Sequence, residues 1–395
     1  MKRFLSLFIA AVTCLMATTV WAETVSKDEA AALASSFLSA KTQSSSARKA
    51  PSATDLTATK AVKFVELKDE SVTVDEYYII QEDDEDGGWV MLSADDAVQP
   101  ILAYGETGTF DTSAEMPENL KWWLGLYNHQ IKRAKTLNLT ASSEVAAEWA
   151  ELRSGARRAK QATVVVGPLL TTTWNQGSPY NNLCPTYSGS SRSATGCVAT
   201  AMSQVMNYWE WPEKGQGSKS YSSQGTQSVN FANTTYDWAN MKDSYGGSYT
   251  TAQANAVATL MYSAGVAVEM SYGASSGAQT IRFPSNSTTY ACAQNALWNY
   301  FQYDADSIKG YYRNGWTTYG YSSWTDAKWI AMLKEELDKK RPIMYAGSGD
   351  GGGHSFVCDG YRDDNYFHFN WGWGGSYDGY FTVNSLSPGG GGIGS

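Results

Sequence analysis

Three histidines in 395 residues, His129, His354 and His368, leave few places for imidazole chemistry. The nucleophile that suits an imidazole here is a cysteine. Cys197 stands in Ala194-Thr195-Gly196-Cys197-Val198-Ala199-Thr200-Ala201, directly after a glycine and at the start of an apolar helix. A thiol in that place feels the positive end of the helix dipole, which favours the thiolate. Small neighbours leave room for a substrate backbone. The same pattern also fits a buried structural cysteine. His354 follows Gly351-Gly352-Gly353 and opens the run His354-Ser355-Phe356-Val357-Cys358, where glycines let another backbone come close. His368 lies inside Tyr366-Phe367-His368-Phe369-Asn370, on the face of Asn370 and opposite Phe367 and Phe369. Either histidine could be the base; a mid-strand imidazole is less open, which favours a structural role for His368. Gln176, in Trp174-Asn175-Gln176-Gly177, could donate its amide to a developing oxyanion or be a plain loop residue. In Asn370-Trp371-Gly372-Trp373-Gly374-Gly375, an amide that accepts from the imidazole would hold its tautomer, and an indole would shield that bond. The bland reading of that stretch is an aromatic strand end running into a turn.

The elements that must position these groups are partly readable. Cys197 starts a helix whose Val198, Met202, Val205, Met206 and Trp209 share one face, and Pro212 follows its end. Thr325 caps a second helix with the stripe Trp329, Ile330, Leu333 and Leu337, closed by Arg341-Pro342. Strands are expected over 343–346, 354–359, 366–370 and 380–383, so a helical portion precedes an antiparallel sheet. Toward the N-terminus, Ser26 to Glu29 is a capping box for a helix near 26–40. Residues 42–60 read as a loose connector. Strands 77–81 and 89–93 form a hairpin across the acidic turn Asp83 to Gly88, a third strand covers 101–104, and a helix covers 120–131. The basic stretch Arg153, Arg157, Arg158 and Lys160 reads as an exposed, cleavable linker.

Lys2 and Arg3 followed by the apolar run Phe4 to Met16 form an export signal, with cleavage expected after Ala22. Thr13 before Cys14 is a poor lipobox residue, which argues against lipidation. The chain thus divides into a signal peptide at 1–22, a small α+β unit at 23–160 and a larger α+β unit at 161–395. Hydrophobic content of 43% supports a sizeable core. A formal charge of −9 speaks against nucleic-acid binding, and no later segment is apolar enough to span a membrane. Cys184, Cys292 and Cys358 are taken as core residues. Neither the histidines nor the cysteines show zinc-ligand spacing, so no metal and no cofactor are expected.

The order glutamine, cysteine, histidine, asparagine is that of papain-like peptidases, although the usual papain cysteine signature is absent. Four segments, 174–181, 194–201, 352–357 and 370–375, resemble the streptopain family of cysteine peptidases, and Trp89 to Asp96 resembles its propeptide. The resemblance implies a secreted zymogen with a papain-like catalytic domain, acting on proteins or peptides and inhibited by its own propeptide. It implies Cys197 as nucleophile, His354 as base and Gln176 as oxyanion donor, with Asn370 and Trp371 supporting the histidine. Main-chain groups near Ala278 and at Gly353 would hold the substrate, with Ser276 and Trp373 as further substrate-binding positions. Members of that family carry another strand after the glycine-rich loop in which this sequence ends. Two rival readings are an inactive binding protein on the same scaffold and a Cys-His amidase acting on cell-wall peptides.

Overall fold

The computed structural model describes residues 22–45, 61–68, 75–84, 87–110, 116, 118–155, 163–282, 287–313, 323–349, 352–384 and 386. The proposed signal segment, the cleavage region after Arg153 and the glycine-rich C-terminus lie almost wholly outside them. The N-terminal third contains α1 (Lys27–Ser45), β1 (Val62–Phe64), β2 (Tyr77–Glu82), β3 (Trp89–Ser93), β4 (Ile101–Gly105), α2 (Glu118–Thr136) and α3 (Ser143–Ser154). The remainder runs β5 (Val164–Val166), β6 (Thr186–Ser188), β7 (Ser191–Arg192), α4 (Cys197–Trp209), β8 (Ser218–Ser222), β9 (Thr226–Asn230), α5 (Thr251–Ala267) and α6 (Ala293–Phe301). It closes with α7 (Asp326–Asp338), β10 (Ile343–Gly349), β11 (Gly352–Arg362), β12 (Tyr366–Asn370) and β13 (Gly379–Thr382).

Among the described residues one antiparallel sheet runs β1-β2-β3-β4-β13-β12-β11-β10, with β5 joined to β11. The N-terminal strands therefore continue the C-terminal sheet without a break. The joint is β4 on β13, where Tyr104 faces Tyr380 and Ala103 faces Phe381. Helix α1 covers one face of β2 to β4 through Leu33, Ala34, Phe37 and Leu38. On the other face, α2 and α7 cover a single aromatic core that spans both ends of the chain. A second core joins α4, α5 and α6 to the hairpin β8–β9. The fold is α+β, with helices largely ahead of the sheet in the second part, as expected.

Several elements depart from expectation. Helix α1 extends to Ser45, into the stretch read as connector. Arg153 is not in a linker: it sits in α3, which Ser142 caps through its hydroxyl and Gly155 ends in a left-handed turn at φ 70°. There Arg153 pairs with Glu29 at 2.9 Å and Asp96 at 3.3 Å, while Trp149 is buried and donates its indole N–H to Val98 O at 2.7 Å. Helix α5 has a full capping box from Thr250 and Gln253. It escapes a periodicity reading because it is apolar nearly all round, which leaves no stripe to detect.

Candidate active site

Cys197 is the first residue of α4, and Gly196 before it is held at φ 87°. That backbone conformation favours glycine, and a Cβ there would lie 2.6 Å from Met270 Sδ and 3.0 Å from Ser276 O. The helix start is thus wedged against the 270–278 loop. Thr200 braces it from within, its hydroxyl lying 2.9 Å from Thr195 Oγ1 and 3.1 Å from Gly196 O. The Gln176 loop is tied to the same point, since Thr195 N donates to Gln176 O at 3.1 Å. The Gln176 side chain is 9% exposed and lines the cleft beside Cys197.

Strand β11 comes to the thiol from the opposite side. Ser355 N donates to Cys197 Sγ at 3.4 Å, so the main chain directly after His354 touches the sulfur. Cys197, His354, Gln176, Ser276, Ala278 and Trp373 line one open cleft of about 2210 Å³. Gly353 is in β11 opposite Ser348. The Ser276 hydroxyl is engaged locally, accepting from Gly273 N at 3.1 Å and lying 3.3 Å from Gly273 O. His129 is on α2, away from these residues in the chain's architecture, with no place among the cleft-lining side chains.

Two expectations meet a different geometry. Burial pushes the Cys197 thiol up, against the lowering pull of the Ser355, Val198 and Cys197 amides. The helix start alone therefore does not set the thiol's state, because at 8% exposure desolvation outweighs the amide dipoles. The Asn370 side chain is engaged by other groups among the described residues. Its oxygen accepts from Gln204 Nε2 at 3.0 Å and Gly372 N at 3.1 Å, and its amide donates to Thr172 O at 2.8 Å. Trp371 is fully buried, its ring centroid 4.5 Å from Phe356, which stands two residues after His354 on β11.

Gln204 was not singled out from the sequence. It is seven residues after Cys197, two helical turns along the same face, and the oxygen of its fully buried amide takes Thr172 Oγ1 at 2.9 Å. Its helical spacing from Cys197, seven residues on, was the available signal. His368 does not line the cleft, and its Nδ1 lies 2.6 Å from Asp359 Oδ1.

The N-terminal third reaches into this site. Met116, 3% exposed, lines the cleft with Cys197 and His354. Trp122 lies flat on Gly347, where a Cβ would be 1.9 Å from the indole, and Gly347 is the register partner of His354. Trp123 enters the aromatic core with ring centroids 5.0 Å from Phe369, 5.8 Å from Phe356 and 6.0 Å from Trp371.

The Peptidase C10 family model matches residues 174–381, a span that holds every one of these cleft residues except Met116. The chain belongs to the Peptidase C10 family. A Spi protease inhibitor model matches residues 22–131, the part that carries Met116, Trp122 and Trp123. Streptopain of Streptococcus pyogenes is 33% identical over 323 residues, covering 76% of this chain and 73% of that one. The thiol protease/hemagglutinin PrtT of Porphyromonas gingivalis is 32% identical over 79% of this chain. This chain matches only 34% of the length of that longer protein. A solved structure of a Prevotella intermedia prointerpain A fragment, carrying a cysteine-to-alanine substitution, superposes with a TM-score of 0.63 at 34% identity. It covers 83% of this chain and 94% of that one. This C10 chain is a cysteine-type peptidase with the papain-like α+β fold, preceded by a Spi-type inhibitor unit.

Proposed function

We propose that the chain is the precursor of an exported cysteine endopeptidase, with a signal peptide at 1–22, an inhibitory propeptide at 23–160 and a catalytic domain at 161–395. The observation that carries the mechanism is the 3.4 Å approach of Ser355 N to Cys197 Sγ, which places the strand of His354 against the sulfur. The Cys197 thiolate, paired with the His354 imidazolium, attacks a peptide carbonyl carbon. The Gln176 amide and the Cys197 N–H donate to the oxyanion. His354 gives its proton to the departing amine, leaving a thioester on Cys197. It then takes a proton from water, which attacks the thioester and frees the acid and the thiolate. Asn370 and Trp371 support the histidine indirectly: Asn370 fixes the corner at Gly372, and the Trp371 ring packs on Phe356 of the His354 strand. Ala278, Gly353, Ser276 and Trp373 border the bound peptide.

The buried, protonated thiol belongs to the covered state. Met116 in the cleft and Trp122 on Gly347 set the N-terminal unit against the walls that carry Cys197 and His354, so it acts as an intramolecular inhibitor by obstructing substrate. Its removal exposes the thiol further, which lowers the cost of the thiolate. The substrates are proteins or peptides, and the chemistry uses side chains and main-chain amides throughout. The Cys197→Ala variant tests this reading: casein hydrolysis is abolished and the precursor accumulates uncut. Retained hydrolysis would overturn the assignment.

A further inference from the structure

Outside the cleft, the mechanism leaves unused a cluster of titratable groups: Asp359, which is buried, with His368 and Asp378, which are half-buried. Asp359 is fully buried on β11. One of its oxygens is 2.6 Å from His368 Nδ1 and the other accepts from Leu170 N at 3.0 Å. His368 is on β12, two residues before Asn370 and on the same face. Asp378 precedes β13 and accepts the Trp371 main-chain N–H on Oδ1 at 2.9 Å. The next amide, Gly372 N, is taken by Asn370 Oδ1 at 3.1 Å. Two successive amides of the Asn370-Trp371-Gly372 corner are therefore each held by a side chain, and one of those side chains is Asp378.

We propose that Asp378 is a positioning residue of this peptidase, holding the Asn370–Trp371 corner, and through the Trp371–Phe356 contact the start of β11, in the geometry that presents His354. The inference rests on the assignment of Cys197 and His354 above. The path has two contacts and one strand: Asp378 holds the Trp371 backbone, the Trp371 ring lies on Phe356, and Phe356 stands two residues after His354 on β11.

The charges around the corner give this role a signature. Burial raises the Asp378 carboxyl to about 7, with His368 and the Trp371 amide pulling it down and Asp359 pushing it up. His368 is drawn down by burial but held up on balance by Asp359, with Asp378 and Glu106, just beyond β4, adding to the effect. Below that pH a neutral Asp378 keeps a carbonyl oxygen on the Trp371 amide, beside a balanced Asp359–His368 pair. Above it, two carboxylates share one imidazolium; the Trp371 N–H itself favours the ionised Asp378, and it is the repulsion between Asp378 and Asp359 in this half-buried site that strains the corner. Asparagine at 378 keeps the acceptor and cannot ionise; alanine removes the acceptor.

The experiment uses full-length wild type and the variants Asp378→Asn, Asp378→Ala, His354→Ala and Cys197→Ala, each cut with trace trypsin so that processing does not depend on self-cleavage. Peptide turnover is read from pH 5 to 9, together with thermal unfolding and the rate of Cys197 labelling by an epoxide. Asp378→Ala is expected to lose about tenfold or more in kcat with KM nearly unchanged, and to label more slowly. Asp378→Asn is expected to regain near-wild-type kcat at pH 6 and to keep it where wild type declines above pH 7. Wild-type kcat and pH profile in Asp378→Ala would overturn the inference. If that variant does not fold, an unaltered alkaline decline in Asp378→Asn would overturn it instead. Hydrolysis by His354→Ala or Cys197→Ala would instead overturn the underlying site assignment.

Discussion

At the scale of single residues, the site is governed by which polar groups are spent and which are left to act. Asn370 and Gln204 satisfy each other and the surrounding backbone, which fixes the wall behind the thiol. Gln176 differs: its main chain is tied down, while its side-chain amide has no hydrogen-bond partner among the described residues and borders the cleft. A donor fixed by its backbone and free at its tip is suited to bind charge that appears only during reaction. Gln176→Ala is therefore expected to lower kcat of the processed enzyme by about 10²-fold while KM changes little, as loss of one oxyanion donor does. Steady-state kinetics on a fluorogenic peptide would check this, and an equal rise in KM would point to ground-state binding instead.

At the scale of elements, helix α2 decides how the two parts of the chain are joined. Trp123 is fully buried among Phe356, Phe369, Trp371, Phe381 and Tyr345, all from the catalytic part. Tyr127, one helical turn on, lies 2.9 Å from Leu102 O on β4 and 3.2 Å from Thr382 O on β13 through its hydroxyl, so it spans the joint between the two groups of strands. Removing the Trp123 indole would leave a cavity between edge-to-face rings that cannot collapse without moving α2. Trp123→Ala in a Cys197→Ala background is expected to destabilise the precursor by about 3–5 kcal/mol, measurable by denaturant unfolding. A change well under 1 kcal/mol would mean that the helix contributes little to the shared core.

At the scale of the whole molecule, the inhibitory unit is bound as part of one sheet rather than as a plug alone. β4 pairs with β13, Tyr104 stacks on Tyr380 at 5.4 Å, and the buried Arg362 crosses the joint to Glu106 at 2.7 Å. The Asp359–His368–Asp378 cluster lies beside this joint, so proton uptake there is linked to the stability of the covered form. Asp378 has a raised pKa, so between its ordinary range near 4 and about 7 the folded chain holds a proton that the unfolded chain has lost. His368, also raised, contributes stability that is present below its unfolded value and lost as pH climbs through its folded one. Both effects have the same sign. The uncleavable Cys197→Ala precursor should lose thermal stability as pH rises from about 5 to 8. Asp378→Asn should flatten part of that fall, and a melting temperature that rises over this range would contradict the linkage.

The residue types, their order and the local elements were legible in the sequence. The glycine before Cys197, the apolar face of α4, the glycines before His354 and the Asn370–Gly375 run all carry local signals, because turn chemistry and periodicity act over a few residues. Helix α5 was less legible, since burial on nearly every side erases the stripe. Only the tertiary structure decided that β4 continues β13, that Trp123 completes an aromatic core more than 200 residues away, and that Asn370 turns to Gln204. It also decided that Cys197 is buried, which pushes its thiol up against the pull of the Ser355, Val198 and Cys197 amides. Such outcomes depend on which distant surfaces exclude water together, and no pattern within a short window of sequence specifies that.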